Sequence, residues 1–323
     1  MLHPEVVSLL DGRGADATFP AEVLTDVKLA QRYLQAARAA TTREEVDARE
    51  QVAEVQNLRL GSGVAVRVYR PFGSGPFPMF VYCHGGGWVV GNLEMHDELC
   101  RRIANRAAVV VVSVDYRLAP EHPFPLGLDD CLEAVTWASE HAGALHGRSD
   151  SIAVGGTSAG GNLAAALALR CRDSGGPQLS LQVLMYPVLD SRMGTRSYQE
   201  FAHGPVLDAR QMGWYWQQYV PHEGDRSNPL ASPSHASDLS GLPAAVIVIP
   251  ACDPLRDEAE DYASRLGAAA VSVRLLRYPG QVHSFLRHLN TLTDADRAVT
   301  EISDSMRAVL AGAVPTTASE DSP

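Results

Sequence analysis

Ser158 stands in the run Gly155-Gly156-Thr157-Ser158-Ala159-Gly160-Gly161, between the apolar segment 151–154 and the helix-forming segment 162–169. That order reads as strand, sharp turn, helix. A serine at such a turn is lifted out of the sheet with its hydroxyl exposed. The first N–H groups of the helix then point toward any negative charge that develops beside it. Gly156 and Gly160 flank the serine because the two backbones pass too close there for a Cβ. The pattern G-x-S-x-G is that of a nucleophile elbow. In a chain of this length it arises by chance about once in ten, so a chemical reading needs further residues.

A second motif supplies them. His84-Gly85-Gly86-Gly87-Trp88 follows the apolar run 78–83, as a strand that ends in a glycine loop. Three successive glycines are entropically costly. They make sense where backbone N–H groups must face a ligand. Acyl transfer passes through a tetrahedral oxyanion, which needs two or three donors at about 3 Å. The N–H groups of Gly86, Gly87 and Ala159 are the expected donors.

A serine nucleophile also needs a base, and the base needs a carboxylate to orient it. On a strand–turn–helix scaffold the expected chain order is serine, acid, histidine. The apolar run 245–249 reads as a buried strand, and Asp253 is the first carboxylate beyond it. A further strand over 271–278 leads to His283. Asp257 competes with Asp253 but suits a helix start. His288 competes with His283 but falls further into a following helix. Asp253 and His283 each follow a strand, where ligands bind in open α/β sheets. The triad is therefore read as Ser158, Asp253 and His283.

The elements that must carry these residues alternate strand and helix, which indicates an α/β fold. Residues 1 to about 50 are expected to be helical, with Val23, Val27, Ala30, Leu34 and Ala37 at helical spacing. Strands over 52–60 and 64–69 form a hairpin around Gly61-Ser62-Gly63. Strands near 78–83, 108–114, 151–156 and 181–186 follow, with helices near 94–107 and 126–141. Residues 190–235 show no strand pattern but carry Trp214, Tyr215, Trp216 and Tyr219. The segment Tyr116–Pro125 is read as a buried brace for the glycine loop, with Arg117 paired to Glu121. The tail 313–323 is read as disordered.

Taken together, HGGGW at His84–Trp88, DYRLAPEHPFP at Asp115–Pro125, the elbow, Asp253-Pro254-Leu255 and His283 with Phe285 resemble the hormone-sensitive-lipase-like α/β-hydrolases, the bacterial family IV esterases. The resemblance spans about residues 80 to 285. It implies an α/β-hydrolase fold: a mostly parallel eight-stranded sheet, helices on both faces and a helical cap. The core would comprise 51–189 and 236–312, and the cap would combine 1–50 with the insertion 190–235. The activity implied is carboxylic ester hydrolysis through an acyl-enzyme, on short- to medium-chain acyl esters. Trp88, Trp214 and Tyr215 are expected against the substrate. Members often dimerise, so a homodimer is a further expectation. Two positions depart from the common pattern. Thr157 stands where many members carry Asp, which resembles the subgroup with a GTSAGG elbow. Ser284 stands where a Gly is common.

Composition agrees. The chain has 323 residues, 46% hydrophobic and 20% charged, enough for one large α/β domain with an added cap. A net charge of −11 argues against nucleic acid and anionic membranes as partners. Five cysteines with no CxxC pair fit a reducing cytoplasm. No leader peptide, membrane-spanning run, metal-ligand spacing or nucleotide-binding glycine loop is read, so no cofactor or metal is expected. An amidase, lactonase or deacetylase on the same triad is the nearest alternative. A non-catalytic binding module is the more distant one.

Overall fold

The structure is a computed structural model. It describes residues 1–12 and 49–311, with scattered positions between 23 and 36. Most of the N-terminal helical reading, including Val27, Leu34 and Ala37, lies outside the described residues. So does the tail 313–323.

Eight strands form one sheet in the order β1-β2-β4-β3-β5-β6-β7-β8. They are β1 (Glu54–Arg59), β2 (Ala65–Arg70), β3 (Phe77–Cys83), β4 (Val110–Asp115), β5 (Gly147–Thr157), β6 (Leu181–Met185), β7 (Ala244–Cys252) and β8 (Val273–Val282). β1 and β2 pair antiparallel, as do β2 and β4; every other pairing is parallel. The mostly parallel eight-stranded sheet is thus present. Strands β3, β4 and β6 are buried almost throughout. That explains their continuous apolar runs, since a parallel strand is covered on both faces.

Helices cover both faces. α2 (Asp97–Ala107) and α8 (Thr293–Leu310) pack on one face, joined by α1 (Pro4–Asp11) through Val6. α3 (Leu126–Glu140), α4 (Ala159–Ser174) and α7 (Arg256–Ala268) pack on the other. Between β6 and β7 the described chain has no strand; its α-helices are α5 (Arg196–Glu200) and α6 (Ala209–Tyr219), followed by two short 3-10 turns. The inner face of α6 joins the core through Met212, Trp216 and Tyr219. Trp214 sits in a small separate cluster with Val23, Ala30, Val89 and Ala119.

The brace segment is held differently from expectation. Arg117 pairs with Asp130 of α3 at 2.6 Å, not with Glu121. Two guanidinium nitrogens of Arg117 donate to the same carboxylate, a fork that lysine cannot reproduce. Tyr116 does brace the glycine loop. Its hydroxyl donates to the His84 carbonyl at 2.9 Å, and its ring stacks on His84 at 4.2 Å.

Candidate active site

Four loops meet at the C-terminal edge of the parallel strands. β3 runs into the glycine loop, β5 into Ser158, β7 into Asp253 and β8 into His283. Ser158 caps α4 with φ 54° and ψ −116°. Such a backbone costs a non-glycine residue on the order of 1–3 kcal/mol and persists only where its surroundings enforce it. Here the Ser158 N–H donates to the Met185 carbonyl at 2.9 Å. The Ser158 carbonyl accepts from Val188 and Asn162. Sheet and helix together hold the turn.

The three expected catalytic side chains are in contact. His283 Nε2 lies 2.9 Å from Ser158 Oγ, and His283 Nδ1 lies 2.7 Å from Asp253 Oδ2. Asp253 Oδ1 accepts the Leu255 N–H at 2.9 Å. An ionised carboxylate only accepts, so Nδ1 carries the proton and Nε2 offers its lone pair to the serine hydroxyl. All three residues are buried, which strengthens each of these contacts. The ring of Tyr186 stands edge-on to His283, with centroids 5.1 Å apart. Asp257 is engaged elsewhere: it accepts the Ser197 N–H and pairs with Arg256.

The glycine loop turns sharply. Gly86 has φ 125° and Gly87 φ 59°, and the Gly86 carbonyl accepts from Val89 and Val90. Among the described residues, no hydrogen-bond acceptor meets the N–H of Gly86, Gly87 or Ala159. Below the loop lies a buried polar group. The Tyr82 hydroxyl is 3.0 Å from His96 Nδ1 and 3.2 Å from Thr157 Oγ1. Burial holds His84 neutral, with its pKa lowered to about 4. Burial also pushes His96 well below its ordinary value, aided by His84 and Arg287. Neither imidazole adds positive charge beside the site at neutral pH.

The three residues expected against substrate have different placements. Tyr215 packs directly on Gly87. Trp214 is 5% exposed, within its own small cluster. Trp88 is 1% exposed, stacked on Tyr219 at 4.2 Å and 3°, and 4.9 Å from Trp216. Its indole belongs to the main hydrophobic core. Sequence reasoning passed over Tyr186, whose position directly after β6 was the available signal.

A profile of the alpha/beta hydrolase fold family matches residues 80–287. The chain belongs to that family, in its hormone-sensitive-lipase-like branch. It is 44% identical over 257 residues to the carboxylic ester hydrolase LipN of Mycobacterium tuberculosis, covering 76% of this chain and 67% of LipN. It is 34% identical over 317 residues to an ethyl acetate hydrolase of Pseudomonas putida, covering 95% and 98% of the two chains. Among solved structures, a hyperthermophilic esterase from the archaeon Pyrobaculum calidifontis superposes with TM-score 0.86 at 37% identity, covering 95% of this chain and 98% of that one. Among the described residues, no helix is long and apolar enough to cross a membrane.

Proposed function

We propose that this family member hydrolyses carboxylic esters of short to medium acyl chain. The observation that carries the reading is the hydrogen-bond chain from Ser158 through His283 to Asp253. In this mechanism Ser158 Oγ attacks the ester carbonyl carbon while His283 Nε2 takes its proton. Asp253 keeps the imidazole in the productive tautomer and stabilises the imidazolium. The tetrahedral oxyanion accepts from the N–H groups of Gly86, Gly87 and Ala159. Collapse breaks the bond to the alkoxy oxygen, which leaves as alcohol with the proton from His283. Water, deprotonated by the same histidine, then attacks the acyl-serine and releases the carboxylic acid.

The β6–β7 insertion acts as the cap, with Trp214 and Tyr215 as its inward residues. Residence in a reducing cytoplasm belongs to this reading, supported by five cysteines that are all free and buried. A homodimer belongs to it too, supported by the resemblance alone.

The test is turnover of p-nitrophenyl esters from acetate to palmitate, wild type beside Ser158→Ala. Activity that peaks at short chains and vanishes in the variant supports the reading. A folded wild type that turns over no ester overturns it, and directs attention to amides, lactones or binding without catalysis.

A further inference from the structure

The glycine loop is anchored at its start by the core and at its end by the insertion. At the start, His84 is stacked on Tyr116 and its carbonyl is hydrogen-bonded to the Tyr116 hydroxyl. At the end, the partners come from α6. A Cβ on Gly87 would lie under 3.0 Å from three ring atoms of Tyr215, so that ring rests on the Gly87 backbone. One residue on, Trp88 is stacked on Tyr219 and tilted against Trp216. A single helix thus grips Gly87 and Trp88 with three aromatic rings.

The loop needs an outside grip. Gly86, Gly87 and Trp88 have φ 125°, 59° and 61° in succession. Glycine reaches either hand of backbone with equal ease, so the two glycines do not define their own torsions. Trp88 adopts a left-handed backbone that disfavours any side chain. Yet these torsions aim the Gly86 and Gly87 N–H groups. Donors stabilise a transition state only when they are fixed before charge develops.

We infer that Tyr215 is a positioning residue for the oxyanion hole, so that helix α6 completes the hole instead of only roofing the substrate. This rests on the ester-hydrolase reading above. The ring does the positioning by packing on Gly87. The ring atoms nearest a Cβ on Gly87 are Cγ, Cδ1 and Cε1, and the Tyr215 hydroxyl accepts from Gln211 at 3.3 Å. The hole therefore forms only while α6 is docked, and undocking α6 loosens catalysis before it loosens binding.

The experiment compares Tyr215→Ala and Tyr215→Phe with wild type on p-nitrophenyl acetate, whose acyl group is too small to sense a remote pocket wall. It also measures inhibition by a trifluoromethyl ketone, which forms a tetrahedral adduct with the serine, and by the matching methyl ketone. Tyr215→Ala is expected to lower kcat about 10- to 100-fold, less than outright loss of an oxyanion donor, with KM within about two-fold. Trifluoromethyl ketone affinity should fall in parallel while methyl ketone affinity holds. Tyr215→Phe should restore both. A Tyr215→Ala effect confined to KM or to chain-length preference overturns the inference, as does equal loss in Tyr215→Phe. Failure of the hydrolase reading looks different: wild type itself then shows no turnover sensitive to Ser158→Ala.

Discussion

The carbonyl oxygen of Cys83 occupies the place where a side chain on Gly160 would begin. A Cβ there would lie well under 3.0 Å from that oxygen and from backbone atoms of Cys83 and His84. The elbow helix therefore seats directly on the strand that leads into the glycine loop. This close approach brings Ala159 and the loop to one place. It also explains why G-x-S-x-G carried so much information: its second glycine reports a tertiary contact.

Gly160→Ala should accordingly cost at least about 3 kcal/mol, because the obstacle is main chain and cannot turn aside. Gly267→Ala is the matched control. It lies exposed in α7 with nothing within 4 Å of a new Cβ, and should stabilise by up to about 1 kcal/mol. Urea unfolding of both variants checks the pair. Similar midpoints for the two would refute the argument.

Asp253→Asn should lower kcat by about 10⁴-fold, the scale for this change in serine proteases. Oδ1 already accepts the Leu255 N–H, so the new amide nitrogen would take the place of Oδ2 and face His283 Nδ1. That favours the tautomer whose Nε2 carries the proton and cannot accept one from Ser158. Hydrolysis of p-nitrophenyl acetate measures the loss. A variant within ten-fold of wild type would mean that Asp253 does not orient the base.

The site was legible in the sequence to the extent that local chemistry marked it. Each triad residue directly follows a strand with its own apolar signature: Ser158 after β5, Asp253 after β7 and His283 after β8. Where partners come from tertiary packing, the reading failed. Arg117 pairs with Asp130, 13 residues on and within α3. The ring of Trp88 meets Tyr219 and Trp216, more than 120 residues on in the chain. Nothing in the spacing of an aromatic stripe says which partner it will meet.

Ser284 gives a test of local strain. It has φ 61° and ψ 20°, a left-handed backbone directly after His283. A left-handed residue with a Cβ costs about 1–2 kcal/mol, and glycine returns part of that as unfolded-state entropy. Ser284→Gly should stabilise the fold by up to about 1 kcal/mol. Thermal unfolding at fixed pH decides it, and a lowered midpoint would show that the serine is favourably held.

Acid should destabilise the protein through the histidines beneath the loop. His84 titrates near 6.5 in the unfolded chain and at about 4 in the fold. Between those values the unfolded chain binds a proton that the fold refuses, so stability falls as pH drops through this window. The full difference corresponds to about 3 kcal/mol. His84→Asn retains a donor for the Gly85 carbonyl, which His84 Nδ1 meets at 2.8 Å, and removes the titration. Its stability should depend less steeply on pH between about 6.5 and 4 than that of wild type. Parallel curves would assign the acid sensitivity to other groups.

Glu258 should act in the opposite sense. Its carboxyl is 2% exposed, Oε1 accepts the Leu189 N–H at 2.7 Å, and Oε2 has no partner among the described residues. Burial raises its pKa well above the ordinary value. The charges of Asp190 and Asp253 add to the rise, and the Leu189 N–H opposes it. The fold therefore keeps a proton that the unfolded chain releases above about 4.5. That stability is fully present in acid and is lost as pH rises. Glu258→Gln keeps an acceptor for Leu189 and removes the ionisation. The variant should match wild type near pH 4 and exceed it progressively toward pH 8, in urea unfolding followed across that range. Equal stability at pH 8 would mean that Glu258 ionises in the fold without cost.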